Sequence, residues 1–153
     1  MANDLLDAVI ATLENDTTTS EAFGDTWNQT AQTGVAKFFS DVVDQVAPPY
    51  AVLTEIGEGY DYQSRVAGGV VPFICTGQMQ IDIWATGRYQ TRTLGFDIAK
   101  TLNDAPLAWP LESTMEFRLM RSMYVPVPGQ TGSGSPTMFH RIFIFEYVYS
   151  GAL

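Results

Sequence analysis

Residues 76–103, TGQMQIDIWATGRYQTRTLGFDIAKTLN, change periodicity once, and that change decides the fold class. Over 76–85, Met79, Ile81 and Ile83 alternate with Gln78, Gln80 and Asp82. A period of two belongs to a strand with one dry face and one wet face. Thr86-Gly87 breaks it. From Arg88 to about Asn103 the spacing turns helical, with Tyr89, Phe96, Ala99 and Leu102 on one side and Leu94 and Ile98 widening the stripe. Pro106 and Pro110 forbid its continuation.

Downstream, residues 114–124 and 138–150 read as two strands joined by VPVPGQTGSGSP at 125–136. In the last strand Phe139, Phe143, Phe145, Tyr147 and Tyr149 share a face that Arg141 interrupts, while Ile142, Ile144 and Val148 share the other. Apolar residues on both faces suit a central strand, or one buried against a neighbouring subunit. Upstream, Tyr50 to Ile56 is rich in β-favouring residues between Pro48-Pro49 and Gly57, and reads as a strand. Residues 57–72, with Tyr60, Tyr62 and Arg65, read as a long irregular connection.

The chain opens with a helix capped by Asn3 or Asp4 and running to about Glu14, its stripe formed by Leu5, Leu6, Val9, Ile10 and Leu13. Asp4 and Asp7 suit the positive end of its dipole, and Asn15-Asp16-Thr17 ends it. Thr18 and Glu21 have capping-box spacing, which predicts a short helical turn over 20–23. Residues 24–47 stay open: Phe38, Phe39, Val42, Val43 and Val46 fit a helix stripe or a short buried strand equally well. The resulting order predicts an α+β fold, an antiparallel sheet of about four strands with helices packed on one face. At 153 residues the chain suits a single domain, 1–153.

Charge is unevenly spread. Residues 1–62 carry eleven acids against Lys37 alone, whereas residues 63–153 carry seven bases and six acids. The net charge of −9 thus comes from the first two-fifths of the chain, which disfavours wrapping DNA or gripping an anionic membrane. Such acids form solvated helix faces, meet a basic partner, or line a channel through which DNA slides. No stretch approaches the roughly 20 apolar residues of a membrane span. The N-terminus MANDLLDAV lacks the basic region of a signal peptide, so the expectation is a protein made and used without secretion. The sequons at Asn15 and Asn28 then carry no meaning.

Reactive chemistry finds little footing. His140 is the one histidine and sits mid-strand among aromatics, without a G-x-S-x-G motif, so an interface or a satisfied pocket suits it better than a triad. Cys75, the one cysteine, lies in an apolar run and reads as a buried structural thiol. One His and one Cys cannot build a zinc site. Asp41 with Asp44, and Asp4 with Asp7, place carboxylates on one helical face, but helix-surface acids are the plain reading. Gly57-Glu58-Gly59 and Gly132-Ser133-Gly134 lack the strand–helix context of a phosphate cradle and read as turns. No catalytic, cofactor or metal residue is therefore assigned. Trp27, Trp84, Trp109, Tyr50, Tyr60, Tyr62, Tyr89, Tyr124, Tyr147 and Tyr149 are many for a small domain; they suit a core, and some suit subunit interfaces.

Four segments together resemble the tail terminator family, the tail-completion proteins of long-tailed phages and gene transfer agents. They are the opening helix LLDAVIATL, the strand start Pro49-Tyr50-Ala51-Val52-Leu53, the strand-into-helix unit over 80–103, and the closing strand HRIFIFEYVYSG over 140–151. Residues 15–47 and 57–72 match poorly. The resemblance implies a structural, non-enzymatic virion protein of the tail and neck, assembled in the host cytoplasm as a six-fold ring. Such a ring caps the tail tube protein at full length and offers its other face to the head-completion or stopper protein. DNA passes through its lumen without specific binding, and no cofactor or membrane is involved. The loop over 128–136, or the 57–72 connection, would then order on a partner. The alternatives are a head–tail stopper or adaptor, and an unrelated small α+β ligand-binding domain whose aromatics line a pocket.

Overall fold

A computed structural model describes residues 4–24, 33–40, 46–62, 72–104, 107–108, 114–127 and 138–152. The first helix, α1 (Leu5–Asn15), begins where the Asp4 carboxylate accepts the Asp7 N–H at 2.8 Å. Its apolar stripe buries Leu5, Leu6, Val9 and Leu13. Asp16 then stops one helix and starts the next, α2 (Thr17–Ala22), by accepting the Thr19 N–H at 2.8 Å. The expected cap at Thr18 is thereby corrected: a carboxylate is the stronger acceptor for the free N–H groups of a helix start.

Of the undecided segment, residues 38–40 form a short strand, β1 (Phe38–Ser40), while 41–45 lie outside the described residues. Phe38 buries its ring 4.8 Å from that of Phe23. The next strand, β2 (Tyr50–Tyr62), is longer than its composition suggests, because Gly57 and Gly59 do not end it. A bulge between Glu55 and Gly57 carries the ladder on to Tyr62. Gly57-Glu58-Gly59 is therefore strand and not turn, and of the expected 57–72 connection residues 63–71 lie outside the described residues. Pro72 opens β3 (Pro72–Ala85), four residues before the alternation becomes visible. A first strand position tolerates a residue without an N–H.

After β3 come α3 (Arg88–Asp104), a two-residue strand β4 (Leu107–Ala108), and the long strands β5 (Thr114–Val125) and β6 (Phe139–Ala152). The sheet order is β1-β2-β3-β6-β5-β4. β1 runs parallel to β2 and every other pair is antiparallel, so the α+β expectation holds, with a mixed sheet whose four long strands are flanked by two short ones. β6 is central, between β3 and β5.

Register places Leu53, Ile81 and Phe143 in one row of the covered face, followed by Glu55, Met79, Phe145 and Leu119. α3 packs against β3, β5 and β6 on this face, and α1 packs beside it. The helix stripe differs from expectation. Thr91, Leu94, Gly95, Ile98, Thr101 and Leu102 are buried, whereas Tyr89 is 79% exposed and Phe96 47%. Two threonines can occupy the buried side because their hydroxyls are satisfied there. Thr91 donates to the Arg88 carbonyl at 2.7 Å, and Thr101 meets Thr19 at 2.8 Å. Gly95 is required by contact: a Cβ there would overlap the buried Phe143 ring. Gly77 on β3 gives the Tyr147 ring the same close approach.

Gly95→Ala tests that packing. A helix interior ordinarily gains about 1 kcal/mol from this change. Here overpacking against Phe143 should reverse the sign and lower stability by about 1–3 kcal/mol, read as a lower urea midpoint. A midpoint at or above that of the parent chain contradicts the close approach.

Candidate functional site

The face of the sheet turned away from the helices carries the side chains that no described helix covers. Its rows, taken across β2, β3, β6 and β5, are Tyr50–Trp84–His140–Val125, then Val52–Asp82–Ile142–Met123, then Thr54–Gln80–Ile144–Arg121. Here the polar half of the alternation in β3 meets the second apolar face of β6. Apart from the exposed Met123 and Arg121 on β5, these side chains are half-buried, so this face combines aliphatic area with fixed polar groups.

His140 is held from two sides. Its ring lies flat on Trp84, with centroids 4.0 Å apart and planes at 6°, and Tyr50 stacks on the far side of Trp84 at 6.2 Å. Its Nε2 lies 2.7 Å from Asp82 Oδ1, and Gln80 donates to Asp82 Oδ2 at 2.8 Å. The His140 and Asp82 side chains are only 12% and 16% exposed. Among the described residues no serine, threonine or cysteine hydrogen-bonds the His140 ring, whose described polar partner is the orienting acid Asp82. The arrangement fixes a flat, rigid aromatic patch, the kind of surface that loses little entropy on docking. Asp82 and Trp84 were not singled out for this role by sequence reasoning. Their signal was an acid and an indole on the wet alternation of a strand, and it needed the register with β6 to become legible.

A second cluster sits at the β2 bulge. The Tyr147 hydroxyl donates to Glu58 Oε1 at 2.7 Å and approaches Glu55 Oε1 at 3.3 Å, and the Tyr60 hydroxyl also donates to Glu58. Burial, and then the charge of Glu58, push the Glu55 carboxyl above the usual carboxylate range. Burial also acts on Glu58, but the hydrogen bonds from Tyr60 and Tyr147 outweigh it and hold that carboxyl below its ordinary value. The bond to Glu58 pushes the Tyr60 phenol up to about 12. The two carboxylates share the Tyr147 hydroxyl as donor and serve the packing of that ring.

The other sequence candidates fall apart spatially. Asp4 caps α1, and Cys75 is fully buried in the core, its thiol pushed up by burial. Asp41, Asp44, Trp27, Trp109, Asn28 and the loop over 128–136, including Gly132-Ser133-Gly134, lie outside the described residues. Tyr147 and Tyr149 are core, whereas Tyr89 stands in solvent and Tyr124 lies under the Arg88 guanidinium at 4.5 Å. Among the described residues no three metal-ligating side chains converge.

With this geometry in view, comparison with solved structures finds a chain of the virion of a native gene transfer agent particle. It superimposes with a TM-score of 0.63, over 96% of this chain and 95% of that one, at 14% identity. The likeness is one of fold. No protein-family model matches the sequence, and no curated protein matches it.

The acid pair at the bulge gives opposite signs on neutralisation. Glu55 has a raised value in the fold, so its ionised form weakens the folded state at neutral pH. Glu55→Gln should raise stability at pH 7, by up to about 1 kcal/mol for so exposed a group. Glu58 is held low, so its contribution is present above the unfolded carboxylate range and is lost as pH falls through its folded value. Glu58→Gln should therefore lower stability at pH 7 by about 1 kcal/mol, and the deficit should shrink on acidification. Equal signs in urea unfolding at pH 7 contradict this assignment.

Proposed function

We propose that the chain is a structural virion protein, a tail terminator that assembles as a six-subunit ring, caps the tail tube and joins the tail to the head. The observation that carries this reading is the fold likeness to a chain of a gene transfer agent virion over nearly the full length of both. At 96% of the chain it spans the elements α1, β2, the β3–α3 unit and β6, whose sequence pattern resembles the tail terminator family.

The surface chemistry supports the reading. The uncovered sheet face offers half-buried aliphatics and a rigid aromatic stack, which suit burial against other proteins. His140 is held by Asp82 and stacked on Trp84, an arrangement that supports a structural reading of this residue. A net charge of −9 disfavours tight phosphate contacts, as a ring threaded by DNA requires. The chain would act as one domain, with one face imitating a tube subunit so that polymerisation stops, and the other recruiting the head connector.

Removing the gene from the particle-producing strain tests this. Negative-stain microscopy should then show filled heads and free tails that fail to join, with tail lengths no longer uniform. Joined particles with tails of normal length would refute the proposal. Free tails of uniform length, with the chain recovered on the isolated heads, would instead assign it to the head-side stopper.

A further inference from the structure

The charges on α3 are arranged against the helix that carries them. A helix N-terminus favours acids and its C-terminus favours bases. α3 has no acid in its first turn and no base in its last. Arg88 and Arg92, like charges four apart, occupy its beginning, and Asp104 its end. Among the described residues the one α3 ion pair, Lys100 to Asp104 at 4.0 Å, runs in the less favourable direction and is exposed.

Arg141, projecting from the central strand β6, joins the first two arginines. Together with Tyr89 they line an open pocket of about 280 Å³. Arg88 rests on Tyr124, and Arg141 Nε reaches Thr91 Oγ1 at 3.4 Å. Among the described residues no carboxylate lies within ion-pair distance of the three guanidiniums. Burial, and then the neighbouring Arg92 and Arg88, hold Arg141 below its ordinary value. Three cations and a solvent-exposed tyrosine around one concavity, in a chain of net charge −9, form a surface built for an anion.

The rest of the chain shows which anion. Toward the other end of α3, Asp97 and Asp104 line a second concavity of about 120 Å³ together with Asp16, three acids against the single cation Lys100. At 1.5 Å and 100° per residue, Asp104 lies ~24 Å along the axis from Arg88, and Asp97 about half a turn around it. The two surfaces thus face apart and cannot meet within one molecule, yet they are complementary between two. Burial, followed by the charge of Asp16, pushes Asp97 above its ordinary value, and Lys100 offsets this only in part.

We infer that the Arg88, Arg92 and Arg141 surface docks the Asp97 and Asp104 surface of a second copy of this chain. The contact is heterologous, head to tail, and repeats until it closes a ring. It rests on the ring proposed above and supplies its subunit interface. Double-helical DNA is the less favoured occupant, because three arginines in an acidic chain make a small phosphate footprint.

Charge reversal in the full-length chain tests it. Arg88→Glu with Arg92→Glu, and separately Asp97→Lys with Asp104→Lys, should each abolish the self-association of the parent chain in sedimentation equilibrium. The dissociation constant should weaken by at least about tenfold. An equimolar mixture of the two variants should re-associate, because each reversed surface then meets its complement. Parent association should weaken as salt rises from about 0.05 to about 0.5 M. Arg88→Glu places charge as the helix dipole prefers, so the melting temperature of the arginine variant should not fall. For the aspartate variant, which gives up the Lys100–Asp104 pair, restored association on mixing separates loss of docking from loss of folding.

A parent chain that stays monomeric, variants that associate like the parent, or a mixture that fails to re-associate each overturns the inference. So does a parent that binds duplex DNA through Arg92 without self-association. Salt-sensitive association with restoration by mixing, in a chain whose deletion leaves head–tail joining intact, would keep this interface and remove the terminator role.

Discussion

The structure depends on how closely α3 can approach β6. Gly95 lets the Phe143 ring lie against the helix backbone, and Gly77 lets the Tyr147 ring lie across β3. Both rings are fully buried, and with Phe145 and Tyr149 they form the aromatic row on which the helices rest. Close packing leaves little slack for a methyl group at either glycine. All three helices gather on this face, and the consequence is a second face of the same sheet left to the half-buried side chains of β3 and β6.

Much of the architecture was legible because strand and helix periods differ so plainly on either side of Thr86-Gly87. Strand alternation named Met79, Ile81 and Ile83 as buried, and all three are. The misreadings have physical causes. Gly57 and Gly59 looked like breakers, but β3 offers a long ladder and a bulge absorbs the extra residue. On α3, bulky Tyr89 and Phe96 drew the stripe toward themselves, while the true buried side uses Thr91, Thr101 and Gly95. Local hydrogen bonds make such threonines cheap to bury, and no hydropathy count registers that.

The site was less legible, since it is a product of register. His140 was recognisable as a strand histidine fit for a satisfied pocket, which it occupies. Its partner Asp82 lies 58 residues away and is brought alongside by the β3–β6 pairing. The charges of α3 were readable as residue types, but which flank faces solvent followed only from the buried stripe. At 14% identity the likeness to a gene transfer agent virion chain is one of fold, which the sequence alone displays only as a pattern of elements.

A helix whose solvent flank carries bases at its start and an acid at its end is disfavoured alone and complementary in company. That property, the rigid Trp84–His140 stack and the uncovered sheet face all suit a protein whose work is docking. The most direct measurement is a density map of the intact particle at side-chain resolution. This chain is predicted to appear as a ring between tail tube and head, with Arg92 of each copy against Asp104 of the next. Density placing it outside the tail–head junction, or as isolated copies without subunit contacts, would contradict the account.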